Sequence, residues 1–161
     1  IYFGDIIVDT TPPQLISATP LDGFNLDVLF SEPLSAASAE EVSNYTVAGI
    51  NPASAILDNS NQALVHLTFA NAFQANTNLT LQVENIEDIN SNVLNSAQTD
   101  FIFVVPASAS YRDVVFNEVL ADPTPVVGLP EVEFIELYNS SSETFNLQGW
   151  TLVNSTTPKV L

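Results

Sequence analysis

The sequence contains no cysteine and no methionine, only two basic side chains, Arg112 and Lys159, and a single histidine, His66. Without cysteine there is neither a disulfide framework nor a thiolate metal site, and the redox compartment leaves no mark on the chain. A primary translation product begins with methionine, so its absence predicts that the chain is processed or belongs to a longer protein. Nineteen Asp and Glu residues against two bases give a formal net charge of -17, and the first 111 residues hold no Lys or Arg. Phosphate neutralisation needs clustered Lys and Arg, which excludes nucleic acid as a partner class. The same repulsion disfavours anionic membrane surfaces and favours solubility and the attraction of cations such as Ca²⁺. No charged segment leads into a short apolar run, and no apolar run reaches about 18 residues, so this sequence shows neither a signal peptide nor a spanning helix, and no direct membrane insertion is expected.

What is present is hydrophobic content of 46%, enough to bury a core, arranged almost entirely at strand period. In Asn25–Phe30 (NLDVLF), Leu26, Val28 and Phe30 share one face while Asn25 and Asp27 take the other. In Asn78–Glu84 (NLTLQVE), Leu79, Leu81 and Val83 alternate with polar residues in the same way. With PQLIS, NYTVAG, ASAILD, ALVHLTF and DFIFVV, about seven strands fall between Gln14 and Val105, the number and spacing of an immunoglobulin-like sandwich. One helical interruption, SAASAEEVS, places Ser38 and Glu41 at capping-box spacing and predicts a single short turn.

Pro12-Pro13 predicts a stiff, extended connector ahead of this module, and VVPASASY reads as a linker behind it. Three further strands, DVVFNEVLA, EVEFIELYN and LQGWTLVN, follow, separated by DPTPVVGLP and SSSETF. The expectation is an all-β chain of two tandem immunoglobulin-like β-sandwich modules, the second incomplete. Residues 1–8 end a preceding segment, 9–106 form the first module, 107–112 link, and 113–161 begin the second. Three strands form one sheet with an apolar face that needs a second sheet, so the native domain is expected to continue beyond Leu161.

Asp9-Thr10-Thr11-Pro12-Pro13, Phe30-Ser31-Glu32-Pro33-Leu34 and the turn Asp88-Ile89-Asn90-Ser91-Asn92 together resemble the bacterial Ig-like modules of S-layer and other cell-surface proteins, over residues 9 to 105. Those modules usually place Gly where Ser91 stands, a departure that bears on the exact turn conformation, while Asn92 still tolerates a positive φ. Phe116-Asn117-Glu118-Val119, Phe134 to Asn139 and Leu147-Gln148-Gly149-Trp150-Thr151-Leu152 resemble the first strands of the lamin-tail domain, over residues 113 to about 153. The two resemblances imply a modular bacterial surface protein.

No nucleophile elbow, phosphate loop or HExxH motif is present. Every catalytic or zinc constellation depends on His66, which shares a strand face with Leu64 and Thr68 and reads as an unaccompanied surface histidine. Glu133 with Glu136, or Glu87 with Asp88, lacks the raised-pKa cleft that a glycosidase pair requires, and Glu118 and Glu136 are expected to hydrogen-bond turn backbone. The metal hypothesis is calcium, on Asp9 of the connector with Asp88, Asn90 and Asn92 of the turn; it requires those loops to meet at one end of the sandwich, the ordinary alternative being solvated acidic turns. Asp9-Thr10-Thr11 matches an O-glycosylation pattern of some Gram-negative surface proteins, making Thr10 a candidate glycan acceptor. The sequons headed by Asn44, Asn78, Asn139 and Asn154 are what an Asn/Ser/Thr-rich chain produces by chance.

The functional expectation is a non-catalytic structural, adhesion or spacer segment of a large secreted or cell-surface bacterial protein, not an enzyme. Its partners would be neighbouring domains of the same longer chain or other surface proteins. The alternative is a pair of accessory, substrate-binding or positioning modules of an extracellular hydrolase. An exposed aromatic row would favour that alternative, but Tyr2, Phe3, Tyr111, Tyr138 and Trp150 are scattered along the chain.

Overall fold

The computed structural model describes residues 9–121, 132–154 and 157–160. Residues 1–8 and the DPTPVVGLP separator lie outside the described residues. The chain divides into two compact units, one running to Val104 and the other from Val105 onward.

Among the described residues the first unit holds seven strands: β1 (Leu15–Pro20), β2 (Asn25–Phe30), β3 (Tyr45–Val47), β4 (Ser54–Leu57), β5 (Leu64–Thr68), β6 (Asn78–Glu87) and β7 (Val93–Ile102). They form a four-stranded sheet in the order β1-β2-β5-β4 and a three-stranded sheet in the order β3-β6-β7, every pairing antiparallel. Leu26, Val28 and Phe30 on β2 are buried, as the period predicts, and meet Val65 and Leu67 of β5, Leu81, Val83 and Ile86 of β6, and Tyr45 of β3. Phe73 closes one part of the core with edge-to-face contacts to Phe69, Phe101 and Phe103 at centroid separations of 5.1, 5.3 and 6.5 Å.

Strand β6 runs three residues beyond the predicted segment, and its alternation slips on the way. Leu81 and Val83 point into the core, Glu84 and Asn85 are both exposed, and Ile86 and Asp88 are buried again. Asn85 has φ 54, which advances the side-chain phase by one residue. That slip turns Asp88 inward.

The predicted capping box does not form. Helix α1 (Ala36–Ala39) has Ser35 at its N-cap without a side-chain bond, and Ser38 lies inside it. The Ser38 hydroxyl accepts the Glu87 N–H at 2.9 Å, tying the helix to β6. Glu41 instead caps a separate 3-10 turn (Val42–Asn44), its carboxylate accepting the N–H and hydroxyl of Ser43. The Tyr45 hydroxyl, fully buried, donates to the Ala39 carbonyl at 2.8 Å.

The second unit contains β8 (Val114–Leu120) paired with β9 (Phe134–Asn139), and β10 (Thr151–Asn154) paired with β11 (Thr157–Val160), each pair antiparallel. β11 was not anticipated. Strand β10 starts four residues later than predicted because Trp150 donates its N–H to the Leu147 carbonyl at 3.0 Å and Gly149 takes φ 81, so Leu147 to Trp150 is a turn. A cavity of about 170 Å³ is lined by Val114, Phe116, Ile135, Leu137, Trp150 and Leu152 among others. Phe116, Val119, Ile135 and Tyr138 are exposed by 42–59%. Among the described residues no helix is long and apolar enough to cross a membrane.

Candidate functional site

Connector and turn do meet at one end of the first unit. Carboxylate oxygens of Asp9, Glu32 and Asp88 lie within 4.8 Å of one another. Each is placed by a different piece of chain. Asp9 accepts the Thr11 N–H at 3.0 Å, and the connector is fixed beyond it by the buried Pro13 and by two bonds joining Gln14 to Ser31. Glu32 follows β2. Asp88 follows β6, bridged to Leu34.

Asp88 is 1% exposed and organises the turn. Its Oδ1 accepts the N–H groups of Asn90 and Asn92 at 2.7 and 2.8 Å, and its Oδ2 accepts Asn92 Nδ2 at 2.7 Å. Burial alone would raise its pKa, but the hydrogen bonds from Asn92 and Asn90 outweigh it, and the carboxyl titrates below its usual range. Glu32 moves the other way. Burial, the charges of Asp9 and Asp88 and a side-chain bond with Asp9 raise its pKa. Three carboxylates this close repel unless a proton or a cation compensates them, and that repulsion adds to burial in raising the pKa of Glu32.

Of the four calcium candidates, Asp9 and Asp88 belong to this cluster. Asn90 contributes its backbone N–H, and Asn92 spends its amide nitrogen on Asp88 and, at 3.3 Å, on the Asp9 carbonyl, so both build the turn. Glu32 was missed, although it sits inside the Phe-Ser-Glu-Pro-Leu motif that the sequence displays. The positive φ of the turn falls on Ser91 (φ 67), not on Asn92. Thr10 is exposed on the connector. Asn44 is buried, with its amide on the carbonyls of Ser38 and Asn85.

His66 is not unaccompanied. Its Nδ1 lies 2.7 Å from Asp27 Oδ1 and its Nε2 3.1 Å from Asp58 Oδ2. Hydrogen bonds that the ring donates to Asp27 and then to Asp58 raise its pKa against a smaller opposing effect of burial. Asp58 is held well below the usual carboxylate range by the Ser60 hydroxyl first, then by His66 and the Asn61 and Ser60 N–H groups. In the second unit Glu136 accepts the Asn117 amide at 2.6 Å, where turn backbone had been expected. Tyr111 and Trp150 line one open cavity with Asn146 and Ser110.

The family model for the bacterial Ig-like domain matches residues 9–105. The chain belongs to the bacterial Ig-like family. Behind the Ig-like module, the lamin tail domain model matches residues 107–160. Two solved structures are similar in fold. The N-terminal part of the bacterial S-layer protein SbsC has a TM-score of 0.55 and 18% identity, covering 67% of this chain and 26% of that one. Domains 1–6 of the surface layer protein SbsC have a TM-score of 0.54 and 15% identity, covering 86% of this chain and 20% of that one. The chain therefore spans about a quarter or less of the solved chains it resembles. A comparison with curated protein sequences gives no match.

Proposed function

We propose that the two modules are a non-catalytic structural segment, a spacer or adhesion element, of a large secreted or cell-surface bacterial protein. The observation that carries this reading is the state of the single imidazole. Both of its nitrogens face carboxylates, so among the described residues neither is placed to activate a nucleophile. The fold shared with SbsC fragments supports placement at a bacterial surface, with neighbouring domains of the same chain or other surface proteins as partners. The test is incubation of the chain with polysaccharide, protein and duplex DNA, reading both turnover and retention. No turnover is expected, and no retention on DNA. Turnover of any of them refutes the proposal, and retention on a polysaccharide supports the alternative of an accessory module of an extracellular hydrolase.

Within this role, Asp9, Glu32 and Asp88 would take Ca²⁺, fastening the connector to the turn with hard oxygen ligands. Without an ion, the contribution of Glu32 to stability is full while it is protonated and is lost as pH rises through its raised pKa. Calcium added at neutral pH is therefore expected to raise the melting temperature relative to EDTA, and Glu32→Gln to reduce that gain. Identical melting in calcium and EDTA refutes the calcium site. Thr10 would carry a glycan in the native host, a reading supported by its exposure and checked by mass spectrometry of the peptide around it in native material.

A further inference from the structure

His66 lies between two acids that come from different places. Asp27 is its cross-strand neighbour on β2, and Asp58 follows β4, on the other side of β5. A neutral imidazole has one N–H and one lone pair, so it can donate to one carboxylate while its lone pair opposes the other. With 2.7 Å on one nitrogen and 3.1 Å on the other, the geometry is satisfied by the imidazolium alone, which donates twice. Asp58 cannot readily turn away. Its other oxygen accepts the Ser60 hydroxyl at 2.6 Å and the Ser60 and Asn61 N–H groups at 2.8 and 2.7 Å.

We infer that His66 is a protonation-controlled tie across the outer face of the β2-β5-β4 sheet, so that the Ig-like module senses external pH by gaining and losing the one positive charge it can carry. No other side chain in the first 111 residues can hold a positive charge, since that stretch has no Lys or Arg and one His. The groups around the ring are few. On β2 it faces Asp27; on β4 its register partner is Ile56, with Asp58 just beyond; on its own strand Leu64 and Thr68 flank it; and Thr19 of β1 stands opposite Asp27. Asp27 and Asp58 are the titratable members of this set. The side chains are 39%, 22% and 26% exposed for His66, Asp27 and Asp58, so the ring exchanges protons with solvent while its partners are partly shielded.

The sign follows from linkage. The folded module holds the His66 proton more tightly than the unfolded chain, so the tie stabilises fully below the ordinary histidine value of 6.5 and is lost as pH rises through the folded-state midpoint. Asp58 bounds the other side, since its contribution disappears as pH falls through its own depressed pKa. The module is thereby strongest in mildly acidic surroundings.

One histidine makes the test clean. The imidazole signals of the whole 161-residue chain are followed by NMR from pH 4 to 10, in wild type, Asp27→Asn and Asp58→Asn, with thermal melting of the same samples and of His66→Gln. The expected result is a His66 midpoint above 6.5 that falls in each Asn variant. Melting temperature should decline through that midpoint in wild type, with the decline flattened in His66→Gln. A midpoint at or below 6.5, or one unmoved in both Asn variants, overturns the inference. So does a His66→Gln chain whose melting temperature declines over the same interval as steeply as that of wild type.

Discussion

The two units are made of the same material, antiparallel strands with apolar residues at alternate positions, and they do different things with it. In the Ig-like module the inward faces of two sheets meet, and Leu26, Leu67, Leu81 and Val83 have no exposed surface. In the lamin tail domain segment, Phe116, Val119, Ile135 and Tyr138 stay 42–59% exposed on a two-stranded sheet. Glu118 also sits directly opposite Glu136, a like-charge pair that weakens the ladder. Alternation therefore specifies a face, and a face becomes a core only when another sheet covers it.

The largest expected effect separates the units by a matched pair of substitutions. Leu81→Ala should destabilise the Ig-like module by about 2–5 kcal/mol, as truncations of fully buried leucines do. Leu137→Ala, on a half-buried position of β9, should cost the second unit less than about 1 kcal/mol, because little apolar area leaves water there to begin with. Denaturant titration reads them apart, since Trp150 is the single tryptophan and reports the second unit. Equal costs would mean that the second unit closes a core of its own. A smaller effect is expected from Tyr45→Phe, which leaves the Ala39 carbonyl without its buried donor and should lower the stability of the Ig-like module by about 1–2 kcal/mol with no change in the second unit. The smallest is a gain. Ser91→Gly relieves a non-glycine residue at φ 67 and should stabilise the Ig-like module by about 0.5–1 kcal/mol in the same titration.

Period two was enough to find β2 residue for residue and to name its buried face. It failed at β7. The stretch Asn95 to Asp100 is polar and β-poor in composition, and it is a strand because β6 pairs along its length, from Asn78 with Ile102 to Glu87 with Val93. It failed again at Asp88, whose inward direction depends on the phase slip at Asn85, a backbone choice that leaves no mark in hydropathy. The acid cluster was legible in part because Asp9 and Asp88 lie in conspicuous acidic loops. Glu32 was not, since its membership is created by the contact of Leu34 with Asp88 across more than fifty residues of sequence. His66 was misread for the same reason: strand pairing, not sequence distance, brings Asp27 beside it.

Arg112 sits in the turn that opens β8, at φ 72, with the Asp113 N–H bonded to the Ser110 carbonyl and the Arg112 carbonyl accepting the Ser140 hydroxyl at 2.6 Å. A trypsin-like protease needs an extended peptide and a free carbonyl at the bond it cuts, so this bond is protected for as long as β8 and β9 hold together. No target for such an enzyme precedes it, and Lys159 is the one that follows. The Ig-like module is thus invisible to tryptic attack by composition alone, whether folded or not, and scission after Arg112 becomes a single-site clock for the opening of the β8-β9 hairpin.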